Sequence, residues 1–339
     1  MDELCGKVEY FDALLWFNYL AFDILSDLAF GECIGMLERG SDVVAIQRPG
    51  SDDAISYESA IALVDEREHF ASIVGIHPLF QWIASFLPFL SGNKATSGLE
   101  ELARRQVLKR ISSGASRNDI LGKLIEARGY DTRSPTTDEI AELTAESVTL
   151  LIAGSDTTSN SLAAILHLII THSRVYEKLQ RLLLDSACDQ NKLSYEQAKS
   201  IPYLQATIDE GLRFHSTTAI GLHRSAPPDG VVCCGQYFPG GTDLSVPAWT
   251  ISHDIKLWGD PENFRPERWL EGKDIRQYLL AFGKGPRACI GQTLAYIEMT
   301  SVIATMLLRY KIEVRSEELA TTEGFMHKPL NLWLKLNLR

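Results

Sequence analysis

Apolar residues recur at helical spacing along most of the chain and alternate only near its end. Phe11–Phe30 is apolar but interrupted by Asp12, Asn18, Asp23 and Asp27, which predicts an amphipathic core helix closed by Gly31 and a poor membrane span. Ser41–Ser56 is polar, carries Pro49-Gly50 and reads as a loop. Helical periodicity resumes over Tyr57–Phe70 and Pro78–Phe89, Gly92–Gly98 reads as a linker, and Leu99–Ser112 and Asn118–Arg128 are amphipathic. Thr136 stands three residues before Glu139, a capping box, and from there a helical pattern runs to about Thr171. Only a helix packed on several sides needs such a length.

Beyond it, Ile201–His215 predicts a helix with Pro202 in its first turn. Val231–Val246 predicts strands with turns at Gly235 and Pro239-Gly240-Gly241, and Asp260–Trp269 is an irregular, Pro-rich stretch. Gln292–Arg309 reads as a helix, and Tyr310–Arg339 alternates as strands do. The pattern predicts a mainly α fold with small β-sheets. With no clear linker it predicts one domain over 1–339: helical to about residue 220, then mixed strand and loop, with a last helix at 292–309.

One segment breaks the local rules. Inside the longest helix, Gly154, Ser155, Asp156, Thr157, Thr158, Ser159, Asn160 and Ser161 separate two apolar runs. A mid-helix glycine costs about 1 kcal/mol against alanine, and hydroxyls or a carboxylate must find partners if buried. Read alone, this is a solvated polar patch; such breaks also mark functional sites.

Composition narrows the classes. A hydrophobic content of 45% supplies a sizeable core, and the formal charge of −11 argues against a nucleic-acid binder. Met1–Tyr10 is not a signal-peptide start, and the 6 cysteines form no C-x-x-C pair, so neither a zinc site nor a redox motif is indicated.

Candidate chemistry centres on Phe282-Gly-Lys-Gly-Pro-Arg-Ala-Cys-Ile-Gly291. Cys289 sits in a glycine-rich loop just before a helix, where free backbone N–H groups and the dipole favour a thiolate. Gly283, Gly285 and Gly291 let the backbone approach a flat partner. The spacing F-x-x-G-x-R-x-C-x-G resembles the haem-binding loop of the cytochrome P450 family. Ala153-Gly-Ser-Asp-Thr-Thr158 resembles that family's oxygen-activation segment, Glu210-Gly-Leu-Arg213 its E-x-x-R pair, and Phe264-Arg-Pro-Glu-Arg-Trp269 its P-E-R segment. Phe17–Gly31 is similar to members from filamentous fungi active in secondary or xenobiotic metabolism.

The resemblance implies the P450 fold, N-terminally truncated, with the ligand loop at 281–291. It implies heme b (iron protoporphyrin IX) held by Cys289, which pushes electron density onto the iron and favours O–O cleavage. Phe282, Gly285 and Gly291 would flank the group, and Arg287 and Arg224 would meet its propionates as bidentate forks. Asp156 and Thr157 would manage protons; Ala153, Gly154 and Ile220 would touch substrate, Gly154 by letting the helix open locally. Glu210, Arg213 and Arg268 would form a buried network that locks the Cys289 loop.

Implied partners are O2, a small apolar organic substrate and an NADPH-cytochrome P450 reductase, so that NADPH acts only indirectly. Lys273, Arg276, Lys284 and Arg287 would form either a basic docking face or a merely solvated set. Resemblance places such proteins at the endoplasmic reticulum membrane, whereas the chain as given shows no anchor and would be cytoplasmic. The family's W-x-x-x-R clamp is absent, since neither Trp16 nor Trp82 has an arginine four residues on. The leading reading is a monooxygenase. The alternatives are an inactive fragment unable to retain haem, and a haem-thiolate enzyme of rearrangement or dehydration, against which the Asp156-Thr157 pair speaks.

Overall fold

The structure, a computed structural model, describes all residues except 1, 7–8, 48–54, 76–77, 88–89, 114–116, 131–132, 188–191 and 273. Helices dominate, joined by one three-stranded and several two-stranded sheets. Two compact units divide the chain, one of Asp12–Asn160 and one of Met1–Phe11 with Ser161–Arg339, the boundary falling inside the long helix Thr137–Thr171.

In the Asp12–Asn160 unit, the helix Ala13–Phe30 starts where the Asp12 carboxylate accepts the Leu14 N–H and stops at Gly31, whose φ of +74° places it in the left-handed region. It is long and apolar enough to cross a bilayer by composition, yet most of it is buried. Asp23, buried near its middle, accepts the N–H groups of Gly35, Met36 and Leu37 at 2.7, 2.9 and 2.9 Å, so a polar residue in a core helix fixes the following turn. Phe22, Met36, Val64, Leu99, Leu121, Leu143 and Leu151 share its core.

Two expectations change here. Val43–Ile46 is a strand paired antiparallel with Ser56–Ser59, not loop; Pro49-Gly50 lies outside the described residues. Gly92–Gly98 is no linker but part of the helix Ser91–Ser113, and the helix expected over Tyr57–Phe70 runs Ala60–Val74. A Cβ on Gly92 would stand 2.0 Å from the Phe70 ring, so the glycine marks close packing of two helices.

In the unit containing Ser161–Arg339, the helix Gln292–Arg309 packs on Ser173–Ser186 and Pro202–Phe214, and Gly211 lies close to Ile165 of the long helix. Ser173–Ser186 escaped the pattern reading although its buried Val175, Leu179 and Leu183 recur every four residues. Tyr310–Val314 and Trp333–Leu338 pair antiparallel, and Val231–Cys233 with Gln236–Phe238 forms a hairpin, both as the alternation predicts. The segment Pro266–Leu270 lies against Pro202–Phe214, which brings the P-E-R and E-x-x-R residues together.

Candidate functional site

Most of the polar run of the long helix bonds within the helix, and Ser159 and Ser161 bond outside it. Thr136 and Glu139 form the capping box, with Thr136 N–H donating to Glu139 Oε2 at 2.8 Å. The chain stays helical from Thr137 to Thr171, without the local opening expected at Gly154. A Cβ on Gly154 would lie 2.8 Å from Leu25 Cδ2, so this glycine admits a neighbouring leucine. Thr157 Oγ1 donates to the Ala153 carbonyl at 2.7 Å, and Ser155 Oγ to Leu151 O at 2.6 Å. Asp156 is buried and accepts from Asn160 Nδ2 at 2.8 Å, while Ser159 donates to Asn18 Oδ1 at 2.8 Å. Ala153 is exposed.

Glu210 and Arg213 are fully buried, both at 0% side-chain exposure. Arg213 Nε and Nη2 reach Glu210 Oε2 and Oε1 at 3.0 and 2.9 Å, a bidentate fork made possible by their spacing of three on one helix. Arg268 Nε donates to Glu210 Oε1 at 3.0 Å, and Trp269 Nε1 to Oε2 at 2.9 Å. The remaining donors of Arg268 reach Trp258 O, Asp260 and Asn263 O, and Arg213 Nη1 reaches Ser252 O. A buried charge cluster is costly unless its donors and acceptors are met, and here they are.

The Cys289 loop is built by backbone. Cys289 N–H donates to Phe282 O at 2.8 Å and Ala288 N–H to Gly285 O at 3.0 Å, which folds the segment back on itself. Gly283 and Gly285 have φ of +65° and +73°, a conformation other residues adopt only under strain. Gly291 caps the helix Gln292–Arg309, and a Cβ there would lie 3.8 Å from Cys289 Sγ. Cys289 is free and exposed, and Ile290 beside it is 100% exposed. Arg287 is exposed. One soft sulfur donor, uncovered apolar surface, glycines without Cβ and an exposed cation together fit an iron porphyrin. Phe282 packs on Tyr296, ring centroids 5.3 Å apart. Arg224 is exposed and donates to His223 O at 2.8 Å, and Ile220 is 45% exposed.

Some groups escaped the sequence reading. Asp209, beside Glu210, is buried and accepts from Tyr296 OH at 2.6 Å while pairing with Arg276. Arg276, expected in a basic face or a solvated set, pairs with a buried carboxylate while its side chain stays 59% exposed, and Lys273 lies outside the described residues. Glu298 is buried with Oε2 unpartnered, and burial pushes its carboxyl up to about 8. His215 lies 4.0 Å, ring to ring, from His327, and burial pushes it down to about 3. An acidic residue inside an apolar run, Ile297-Glu298-Met299, is the signal that could have exposed Glu298.

A family model described as Cytochrome P450 matches residues 1–336. A benzoate 4-monooxygenase of Aspergillus niger is 38% identical over 97% of this chain and 66% of its own length. A pisatin demethylase of Fusarium vanettenii is 30% identical over 93% of the chain and 61% of the relative. A cytochrome P450 monooxygenase of Aspergillus oryzae is 30% identical, with 96% and 63% covered. The chain therefore spans less than two thirds of the length of these curated relatives.

Proposed function

The chain belongs to the cytochrome P450 family, and from that premise we propose that residues 1–339 are the larger part of a single catalytic domain of a haem-thiolate monooxygenase. The carrying observation is the Cys289 loop, whose exposed thiol stands beside glycines in left-handed conformations and a helix N-terminus. In this reading Cys289 would supply the thiolate that holds the iron. Phe282, Gly285 and Gly291 shape its surroundings, and Arg287 and Arg224 hold the propionates of heme b. When bound, the haem supplies activation of O2 and insertion of one oxygen atom into substrate.

The chain's own residues do the rest. The Glu210, Arg213 and Arg268 network holds the segment Pro266–Leu270 against the helix Pro202–Phe214, a rigid base for the ligand loop. Asp156 and Thr157 handle protons, Asp156 held by Asn160 and Thr157 carrying an exchangeable proton at Oγ1. Ala153, Gly154 and Ile220 would touch substrate.

The substrate class is a small, largely apolar organic molecule, and the benzoate-oxidising relative makes a benzoic acid the first probe. Electrons come from NADPH through a P450 reductase, with Lys284 and Arg287 as basic contacts on an acidic chain. By family resemblance the protein has a fungal secondary or xenobiotic role at the endoplasmic reticulum membrane. The test supplies haem-loaded chain with reductase, NADPH, ¹⁸O2 and a panel of small aromatic acids and ethers. Product carrying one labelled oxygen, lost in Cys289→Ser, is expected. NADPH consumption unchanged by the chain and no labelled product from the panel would overturn the reading and favour a fragment without activity.

A further inference from the structure

We propose that Asp209 is a positioning residue, a carboxylate clamp that closes the base of the Cys289 loop. Its significance for the iron rests on the haem-thiolate reading, whereas its effect on the loop does not.

The clamp follows from connectivity. Arg276 precedes the loop and Tyr296 follows it, yet both reach the same side chain: Tyr296 OH donates to Asp209 Oδ1 at 2.6 Å, and Arg276 Nη1 pairs with Asp209 Oδ2. Asp209 belongs to the helix Pro202–Phe214, so both ends of the loop are tied to the helix that also carries Glu210 and Arg213. Its side chain is 1% exposed. Each strap then continues inward. The Tyr296 ring packs on Phe282 at 5.3 Å, and the Phe282 carbonyl accepts the Cys289 N–H at 2.8 Å. The Arg276 guanidinium lies over the Trp269 ring at 5.8 Å, and Trp269 Nε1 donates to Glu210 Oε2. Lys284 Nζ, inside the loop, donates to the Arg276 carbonyl at 3.3 Å.

Adjacent Asp209 and Glu210 therefore divide the work. Glu210 organises the P-E-R segment, and Asp209 organises the two stems of the loop. Burial pushes the Asp209 carboxyl upward, while Tyr296 and Arg276 pull it back. The Tyr296 hydroxyl is pushed upward by burial and by that carboxylate, so it stays a proton donor throughout the ordinary pH range.

Hydrogen exchange of the peptide containing Phe282–Gly291 tests this in the full chain. Wild type is compared with Tyr296→Phe, which keeps the ring and loses only the hydroxyl, and with Arg276→Ala and Arg276→Lys. Tyr296→Phe and Arg276→Ala are expected to speed exchange in the loop about tenfold, with peptides of Ala13–Phe30 unchanged and Arg276→Lys retaining much of the protection. The loaded chain gives a second readout: the thiolate-type Soret band of the ferrous carbon monoxide adduct should give way in part to a thiol-type band in Tyr296→Phe. Loop exchange equal to wild type in both variants overturns the clamp, and so does uniformly faster exchange across the chain. If wild type itself shows no thiolate band, the haem reading fails while loop exchange still decides the clamp.

Discussion

At Glu298, a carboxyl held near 8 inside a helix is a titration waiting to act on stability. The unfolded chain would release that proton near its ordinary value of 4.5, whereas the folded chain keeps it to about 8. Below 4.5 both states are protonated and the group favours neither. As pH rises from 4.5 to 8 the unfolded state binds fewer protons, so stability falls across that window. His215 works in the opposite sense: burial holds it neutral down to about 3, and stability falls as pH drops below the ordinary 6.5. Glu298→Gln removes the first effect and leaves the second. The urea midpoint of the variant should therefore rise relative to wild type from pH 5 to pH 8; a constant difference across that range would refute the assignment. Asp209, Glu298 and His215 share one reason for escaping the sequence. A titratable residue on a helix reads as a solvated face until tertiary packing shows which side is buried.

Among the elements, small residues decide how closely helices approach. Gly211 lies between Glu210 and Arg213, and a Cβ there would stand 2.5 Å from Ile165 Cγ1 of the long helix. Gly211→Ala gains helix propensity but drives into Ile165, with a net loss of roughly 1–3 kcal/mol expected. A denaturant midpoint that rises, or a loss that Ile165→Ala in the same chain fails to relieve, would contradict this. Gly92 teaches the same lesson from the other side. Glycine-rich Gly92–Gly98 reads as a linker because composition does not distinguish a flexible joint from a close helix crossing. Elements with directional signals were legible: the Thr136–Glu139 box opens the long helix, and Gln292–Arg309 begins and ends where its apolar period does. The short strand Val43–Ile46 was not, since it exists only by pairing with Ser56–Ser59, which no local pattern announces.

For the whole molecule, the motifs scattered at 153–158, 210–213, 264–269 and 282–291 were legible because their chemistry needs fixed residue types at fixed spacing. What joins them was not. The E-x-x-R and P-E-R residues form one network in the structure, yet no local rule says that residues 210 and 268 must meet. The stems of the ligand loop meeting at Asp209 is likewise a property of the fold. The haem reading depends on one bond, from Cys289 sulfur to the iron of a porphyrin. Its most direct measurement is the absorption spectrum of the haem-loaded chain, reduced and exposed to carbon monoxide, beside Cys289→Ser. The strongly red-shifted Soret band of thiolate ligation in the parent chain, absent from the variant, is the predicted result. A band without that shift, or the same spectrum from both proteins, would contradict the account.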